Sequence, residues 1–315
     1  MNCNFYSFSA SIFFVGLTVC TTACNDSVVT DFEEKVTAEV SGTIGLSTRA
    51  YNNVWESGDK IGIFVFEGGS TTAYKQYSNY AYETTGSLGT FSPVSGNDPI
   101  YMPATGVKLD FLAYWPYQAS LADNNTFSIT SWADQSNQKK LDLLLSDKVI
   151  DRTMAEKSVA LNFKHQFSKL ILNIKANTEE SQLLSSDLVG MNVKAAGMNV
   201  STSVNVLTGV LTNGSAVTDA IVLATDETST AADVQATAII APGYNTTTTI
   251  RKVTFSLTNG KTYTWTIPSG KEFLAGNSYT WTIKLKGEGL VEAELTATIE
   301  DWTNNDEGEI NLDMD

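Results

Sequence analysis

The chain has 315 residues, and its 20 Lys and Arg against 35 Asp and Glu give a formal net charge of −15. This acidic balance argues against a nucleic-acid-binding protein, which needs a basic surface for its phosphate contacts. Charged residues make up 17% and hydrophobic residues 42%, which is typical of a folded protein rather than a disordered acidic chain. One His and three Cys leave little for His-based or thiol-based catalysis. We therefore expect no enzyme, no metal and no cofactor.

The N-terminus has the pattern of an export signal. The first charged side chain is Asp26, and residues 11–19 form an apolar run that is too short to span a bilayer, which takes about 20 residues. Small residues follow at positions 21–23. This pattern predicts a signal peptide over residues 1–23, although the basic residues that normally precede the apolar run are missing.

Cys24 follows the small residues directly, as in a bacterial lipobox. In this interpretation the chain is cut after Ala23, Cys24 carries the lipid (palmitate), and residues 24–31 form a tether to the outer membrane. Cys3 and Cys20 would leave with the signal, so the mature chain has no intramolecular disulfide. The alternative is an ordinary secretion signal in which Cys24 has no role.

The rest of the chain is dominated by apolar residues at every second position, broken by Gly and Asn. Runs rich in Val, Ile, Thr, Tyr and Phe are residues 61–66, 159–163, 170–174, 253–257 and 279–285. Many short strands with frequent turns predict an all-β protein built of β-sandwiches. Asn259-Gly260 predicts a hairpin turn, and only residues 179–188 suggest two or three helical turns. A rise in charge near Arg152 predicts two tandem domains, residues 32–152 and 153–315.

Three segments alternate strictly between apolar and polar residues, and two of them lie near the ends of the mature chain. Residues 35–47 have Val36, Ala38, Val40, Gly42, Ile44 and Leu46 on one face. Residues 290–300 have Val291, Ala293, Leu295, Ala297 and Ile299, and the last seven residues have Ile310, Leu312 and Met314. Each segment is typical of a strand that covers a core with one face.

Several short motifs, in this order and spacing, resemble the fimbrillin family of Bacteroidales surface lipoproteins, which includes the pilins of type V pili and minor-fimbrillin-like proteins. The motifs are Thr48-Arg49-Ala50, Trp55 to Ile63, Tyr101-Met102-Pro103, residues 107–117, Asp142-Leu143-Leu144, residues 163–170, Pro242-Gly243 and residues 299–302. Together with the preceding strand they span residues 36–302, which is nearly the whole mature chain.

The resemblance implies two tandem transthyretin-like β-sandwich domains and a structural or accessory subunit, at the tip or in the stalk, of a surface-exposed fimbrium that supports adhesion. Family members reach the outer membrane as lipoproteins. An arginine-directed protease then removes the N-terminal strand, and the subunits assemble by strand exchange. Arg49-Ala50 falls where that cut is expected, because Arg49 follows an alternating strand and precedes Trp55.

Strand exchange requires a donor strand with the same alternation as the strand that leaves. We expect the donor within residues 290–315 and favour residues 309–315, with Ile310, Leu312 and Met314 as the donor-strand residues. Residues 290–300 are then an integral part of the second sandwich.

The main alternative is a glycan-binding surface lipoprotein that does not polymerise. Sugar binding needs exposed aromatic rings, and Trp55, Trp115, Trp132 and Trp302 lie beside turns or polar stretches, whereas Trp265 and Trp281 have the pattern of core residues. A tip subunit would itself bind a host protein or glycan, so the two hypotheses overlap. The single imidazole, His165, is expected to be structural.

Overall fold

The computed structural model describes residues 35–45, 54–104, 106–123, 125–176, 183–199, 201–214, 221–226, 233–244, 250–286, 293–294 and 303–312. In these residues the protein is nearly all β, as predicted, and no α-helix is present. Two short 3₁₀ helices cover Gln138–Lys140 and Ser185–Leu188. The second lies at the end of the segment expected to make helical turns, and it is a single 3₁₀ turn. No helix in the described ranges is long and apolar enough to cross a bilayer.

The strands are short. Burial alternates along several of them, such as Ser158–His165 and Lys252–Ser256, but Lys60–Glu67 and Leu109–Trp115 are buried on both faces. In chain order they are β1 Glu39–Ile44, β2 Lys60–Glu67, β3 Tyr80–Thr84, β4 Thr90–Pro93, β5 Leu109–Trp115, β6 Thr126–Ile129, β7 Leu144–Ser146, β8 Val149–Arg152, β9 Ser158–His165, β10 Ser168–Ala176, β11 Asn192–Ala196, β12 Thr202–Asn205, β13 Leu211–Asn213, β14 Ile221–Val222, β15 Ala224–Asp226, β16 Asp233–Ile240, β17 Gly243–Tyr244, β18 Lys252–Ser256, β19 Thr262–Thr266, β20 Glu272–Phe273, β21 Asn277–Leu285, β22 Ala293–Glu294 and β23 Thr303–Leu312.

The first half of the chain forms an eight-stranded sheet in the order β2-β3-β4-β1-β9-β7-β5-β8. A further pairing between β2 and β5 closes this sheet on itself. β9 follows the predicted boundary at Arg152 and nevertheless belongs to this sheet, between β1 and β7. The division of the chain into two tandem sandwich domains stays a prediction.

The second half forms smaller sheets. A six-stranded sheet has the order β15-β16-β10-β21-β23-β22, and a four-stranded sheet has the order β14-β11-β18-β19. β18 and β19 are antiparallel and are joined at Gly260, whose φ of 88° fits the predicted Asn-Gly hairpin turn. β6 pairs with β12 and therefore ties the first half of the chain to the second.

Two clusters of buried apolar residues form the core. The pairing of β2 with β5 makes a closed ring of seven strands, β2-β3-β4-β1-β9-β7-β5, with β8 outside it. The first cluster takes residues from all seven, including Val40 from β1 and Phe163 from β9. The second takes most of its residues from the second half, but it also contains Phe64 and Phe66 of β2. Because successive side chains of a strand point to opposite faces, Ile63 of β2 belongs to the first cluster and Phe64 to the second. The ring is therefore packed with apolar residues on both faces of β2.

Candidate functional site

The site with the clearest geometry is the position of β1 within the closed sheet. β1 runs parallel to β9 over six consecutive residue pairs, from Glu39 opposite Ser158 to Ile44 opposite Phe163. On its other side it pairs antiparallel with β4 at only two positions, the first being Val40 opposite Phe91. β1 is thus an inner strand held mainly by β9.

The predicted alternation of this segment is confirmed over the described residues. Ala38, Val40 and Ile44 are buried, with 9%, 3% and 9% of their surface exposed, whereas Glu39 and Thr43 face solvent. One face of β1 therefore closes the first core cluster. Leu46, Arg49 and Ala50 lie outside the described residues, and so does Cys24, so their predicted roles stay predictions.

The tightest point of this site is Gly42. A Cβ atom on Gly42 would lie 2.8 Å from Cε2 of Phe163 and 3.1 Å from Cε2 of Phe91. The Trp55 ring meets both phenylalanine rings edge-to-face, at centroid distances of 5.0 Å to Phe91 and 5.2 Å to Phe163. We call Trp55, Phe91 and Phe163 the aromatic cradle. Its rings leave no free space for a side chain on the buried face of residue 42.

Hydrogen bonds hold the backbone of Gly42 against this cradle. The Trp55 Nε1–H donates to the Gly42 carbonyl oxygen at 2.8 Å, and the Gly42 N–H donates to the Gly89 carbonyl oxygen at 2.8 Å. Gly89 has a φ of 66°, and a Cβ there would lie 2.0 Å from the Gly42 carbonyl oxygen. The turn before β4 can therefore approach β1 only because residue 89 is glycine.

The beginning of the β1 region is held differently. The Ala38 N–H donates to the Ile100 carbonyl at 2.9 Å, so the chain has left β4 at this point. Between β1 and β4 lies an open cleft of about 440 Å³ whose lining includes Tyr82 and Pro93. On the outer face, the Glu39 carboxylate lies 2.7 Å from Lys157 Nζ. This ion pair is exposed and therefore stabilises the fold little. It joins the first residue of β1 to Lys157, the residue directly before β9.

The predicted donor residues lie in and beyond β23. Ile310 and Leu312 are in this strand, which runs parallel to β21 over nine residue pairs, and they stand opposite Ile283 and Leu285. Met314 lies outside the described residues. The structure thus positions the tail against its own second half, and the donor role of these residues stays a prediction.

The tryptophans that the glycan-binding alternative relies on are buried wherever they are described. Trp55, Trp115 and Trp132 are 4%, 8% and 0% exposed, so the idea that they form a sugar-stacking surface is wrong. Trp55 packs against Phe91, Phe163 and Trp115, and Trp132 packs against Phe167. These partners are distant in sequence, so a position beside a turn does not reveal the burial. Trp302 lies outside the described residues, and Trp265 and Trp281 are core residues, as predicted.

His165 is buried, and its Nδ1 lies 2.9 Å from Oδ1 of the buried Asp142. The predicted structural role of His165 is thereby confirmed. Close by in sequence, burial lowers the pKa of Lys169, while the charge of Asp142 acts against this shift. Among the described residues no group of three or more His, Cys, Asp or Glu side chains is arranged to hold a metal ion.

Comparison with known proteins gives the family. A model of the family described as fimbrillin-like matches residues 48–302. The chain belongs to the fimbrillin-like family. This fimbrillin-like protein is also 32% identical over 280 residues to a candidate fimbrium subunit of Bacteroides uniformis, Fim1C, and the match covers 87% of both chains.

Solved structures share the fold of this fimbrillin-like protein. A candidate cell adhesion protein from Bacteroides uniformis superposes with a TM-score of 0.70 at 30% identity, covering 86% of this chain and 99% of that one. Another, from Bacteroides ovatus, has a TM-score of 0.65 at 23% identity and covers 79% and 92% of the two chains. The structural similarity extends over most of the chain, and the family match begins at residue 48, after β1.

Proposed function

We propose that this protein is a structural or accessory subunit of a fimbria that supports adhesion and is exported as an outer-membrane lipoprotein through Cys24. In this proposal the two halves of the chain are tandem β-sandwich domains. A protease cuts after Arg49, β1 leaves, and a strand from another subunit takes its place. The observation that carries the proposal is the position of β1, an inner strand at the start of the described chain whose apolar face closes a core.

The loss of β1 would uncover a large apolar site. Burial of Val40 and Ile44 stabilises the fold by about 1.5–3 kcal/mol each, so their removal costs roughly 3–6 kcal/mol. The backbone groups of β9 that pair with β1 along six residues would also lose their partners. A strand with the same alternation can restore both the apolar contacts and the hydrogen bonds, which favours strand addition from another subunit.

The connectivity favours removal by a single cut. β1 ends at Ile44 and β2 begins at Lys60, and Arg49-Ala50 lies between them. A cut there separates β1 from every later strand without breaking any of them. The name of the relative Fim1C, a candidate fimbrium subunit, supports the same role for this chain.

Substitution of Arg49 tests whether a cut at this site is required for assembly. Arg49→Ala should give a folded, full-length lipoprotein that no longer enters high-molecular-weight ladders on mild, unheated gels. Arg152→Ala, at a partly exposed arginine away from this linker, is the matched control and should form ladders like the wild type. Unchanged assembly of Arg49→Ala would show that processing at this site is not required.

A further inference from the structure

A second segment of the chain closely matches β1. Residues 36–44 read Val-Thr-Ala-Glu-Val-Ser-Gly-Thr-Ile, and residues 291–299 read Val-Glu-Ala-Glu-Leu-Thr-Ala-Thr-Ile. Five of the nine positions are identical without a gap, and the remaining buried positions exchange Val for Leu and Gly for Ala. The match covers all of β1 and extends three residues before it.

We propose that residues 291–299 of one copy of this protein occupy the β1 site of a second copy, so that the chain assembles with itself. This inference rests on the strand exchange proposed above and names its donor and its partner. It differs from the expectation that residues 309–315 are the donor.

The burial of β1 fits this donor at each position. The buried residues Ala38, Val40 and Ile44 correspond to Ala293, Leu295 and Ile299, which are all apolar. The exposed residues Glu39 and Thr43 correspond to Glu294 and Thr298. Glu294 would therefore replace Glu39 opposite Lys157, where the ion pair measures 2.7 Å.

The aromatic cradle restricts the register. Ala297 corresponds to Gly42, and its Cβ would lie 2.8 Å from the Phe163 ring and 3.1 Å from the Phe91 ring, so the donor backbone or these ring edges have to shift to accept it. A shift of the donor by two residues would bring Leu295 or Ile299 to this position, where a branched side chain clashes with the cradle. Ala293 is equally small, but a shift that brings it to this position would place Leu290 instead of a glutamate at the exposed Glu39 position beside Lys157. The register with Ala297 at the Gly42 position therefore fits best.

Within their own chain, β22 and β23 differ in the number of residue pairs that they form with neighbouring strands. β23 pairs with β21 at nine positions, whereas β22, the described part of the proposed donor, pairs with β23 at two positions. In the register that brings Gly308 to the Gly42 position, Asp306 would take the buried position of Val40. A charged side chain is unfavourable there. β23 therefore fits better as part of its own sheet.

Cysteine cross-linking tests the donor and the register together. Ser41 stands opposite Thr90 of β4, so Thr296 of a neighbouring copy should stand there after exchange. Thr90→Cys with Thr296→Cys should give ladders that survive denaturation and collapse with reductant. Thr90→Cys with Thr298→Cys, shifted by two residues, should link at least fivefold less. Efficient linking of Thr90→Cys with Glu307→Cys instead would overturn the inference in favour of the tail.

A size test uses single substitutions in the full chain. Ala297→Leu should reduce ladder formation at least tenfold, whereas Thr298→Leu, with the same new side chain on the outer face, should assemble like the wild type. The melting temperature of each unassembled variant checks its folding. If the wild type assembles and Ala297→Leu assembles equally well, this inference is wrong while strand exchange stands. If Arg49→Ala assembles like the wild type, the proposed function itself fails.

Discussion

The contact between Gly42 and the aromatic cradle makes a quantitative prediction for Gly42→Val. Valine adds a Cβ and two methyl groups at a point where the Cβ alone would lie 2.8 Å from Phe163 and 3.1 Å from Phe91. β1 must then shift away from the cradle or push its rings into neighbouring core residues. Both responses destabilise the folded protein.

The expected magnitude follows from overpacking in a dense core, which costs about 1–3 kcal/mol. The better strand propensity of valine offsets up to about 1 kcal/mol of this cost. We therefore expect a net loss of about 1–2 kcal/mol in the free energy of unfolding. With an unfolding entropy of about 2.1 cal/mol/K per residue, that loss lowers the melting temperature of this chain by about 1.5–3 °C.

Thermal unfolding of the uncleaved protein measures this effect. Thr43→Val adds the same side chain type on the exposed face of β1 and should change stability by less than about 0.5 kcal/mol. Equal melting temperatures for Gly42→Val, Thr43→Val and the wild type would refute the reasoning, because β1 could not then be pressed against the cradle.

Two further predictions concern charge and anchoring. Burial raises the pKa of Asp110, but N–H donors from Asp151 and Gly69 and the Lys148 ammonium at 3.0 Å outweigh it and hold this pKa below its usual value. The resulting stability is present above the unfolded pKa of about 3.9 and is lost as pH falls through the folded value. Asp110→Asn should therefore melt lower than the wild type at pH 7, with the gap in melting temperature narrowing as the pH falls below about 4; a constant gap would contradict this. Cys24→Ser should abolish palmitate labelling and membrane retention, and persistent labelling would exclude Cys24 as the lipid site.

Much of the fold follows from local patterns that a sequence displays directly. Alternation predicts β2, β9, β10, β18 and β21 at nearly their observed bounds, because the side-chain period of a strand is independent of its neighbours. The turn at Gly260 follows in the same way from its need for a positive φ. Strand order does not follow, since β1 pairs with β9, which lies far along the chain and on the other side of the predicted boundary.

The candidate site is also predictable from the sequence only in part. The amphipathic face of β1 is readable from Val40 and Ile44, but the importance of Gly42 is not, because it depends on rings contributed by distant strands. Its position beside a turn makes Trp55 a candidate for an exposed ring only under the glycan-binding alternative, and the structure buries it, with its Nε1–H donating to the Gly42 carbonyl. A glycine inside an otherwise regular strand is the one local signal of such a close approach.

The direction of β1 has a mechanical consequence. A pull along the axis of a strand that lies beside β9 loads all six residue pairs at the same time, as a shear, instead of opening them one after another. A subunit joined to its neighbour through a replacement strand in this position would resist tension along the filament much better than it resists peeling from the side.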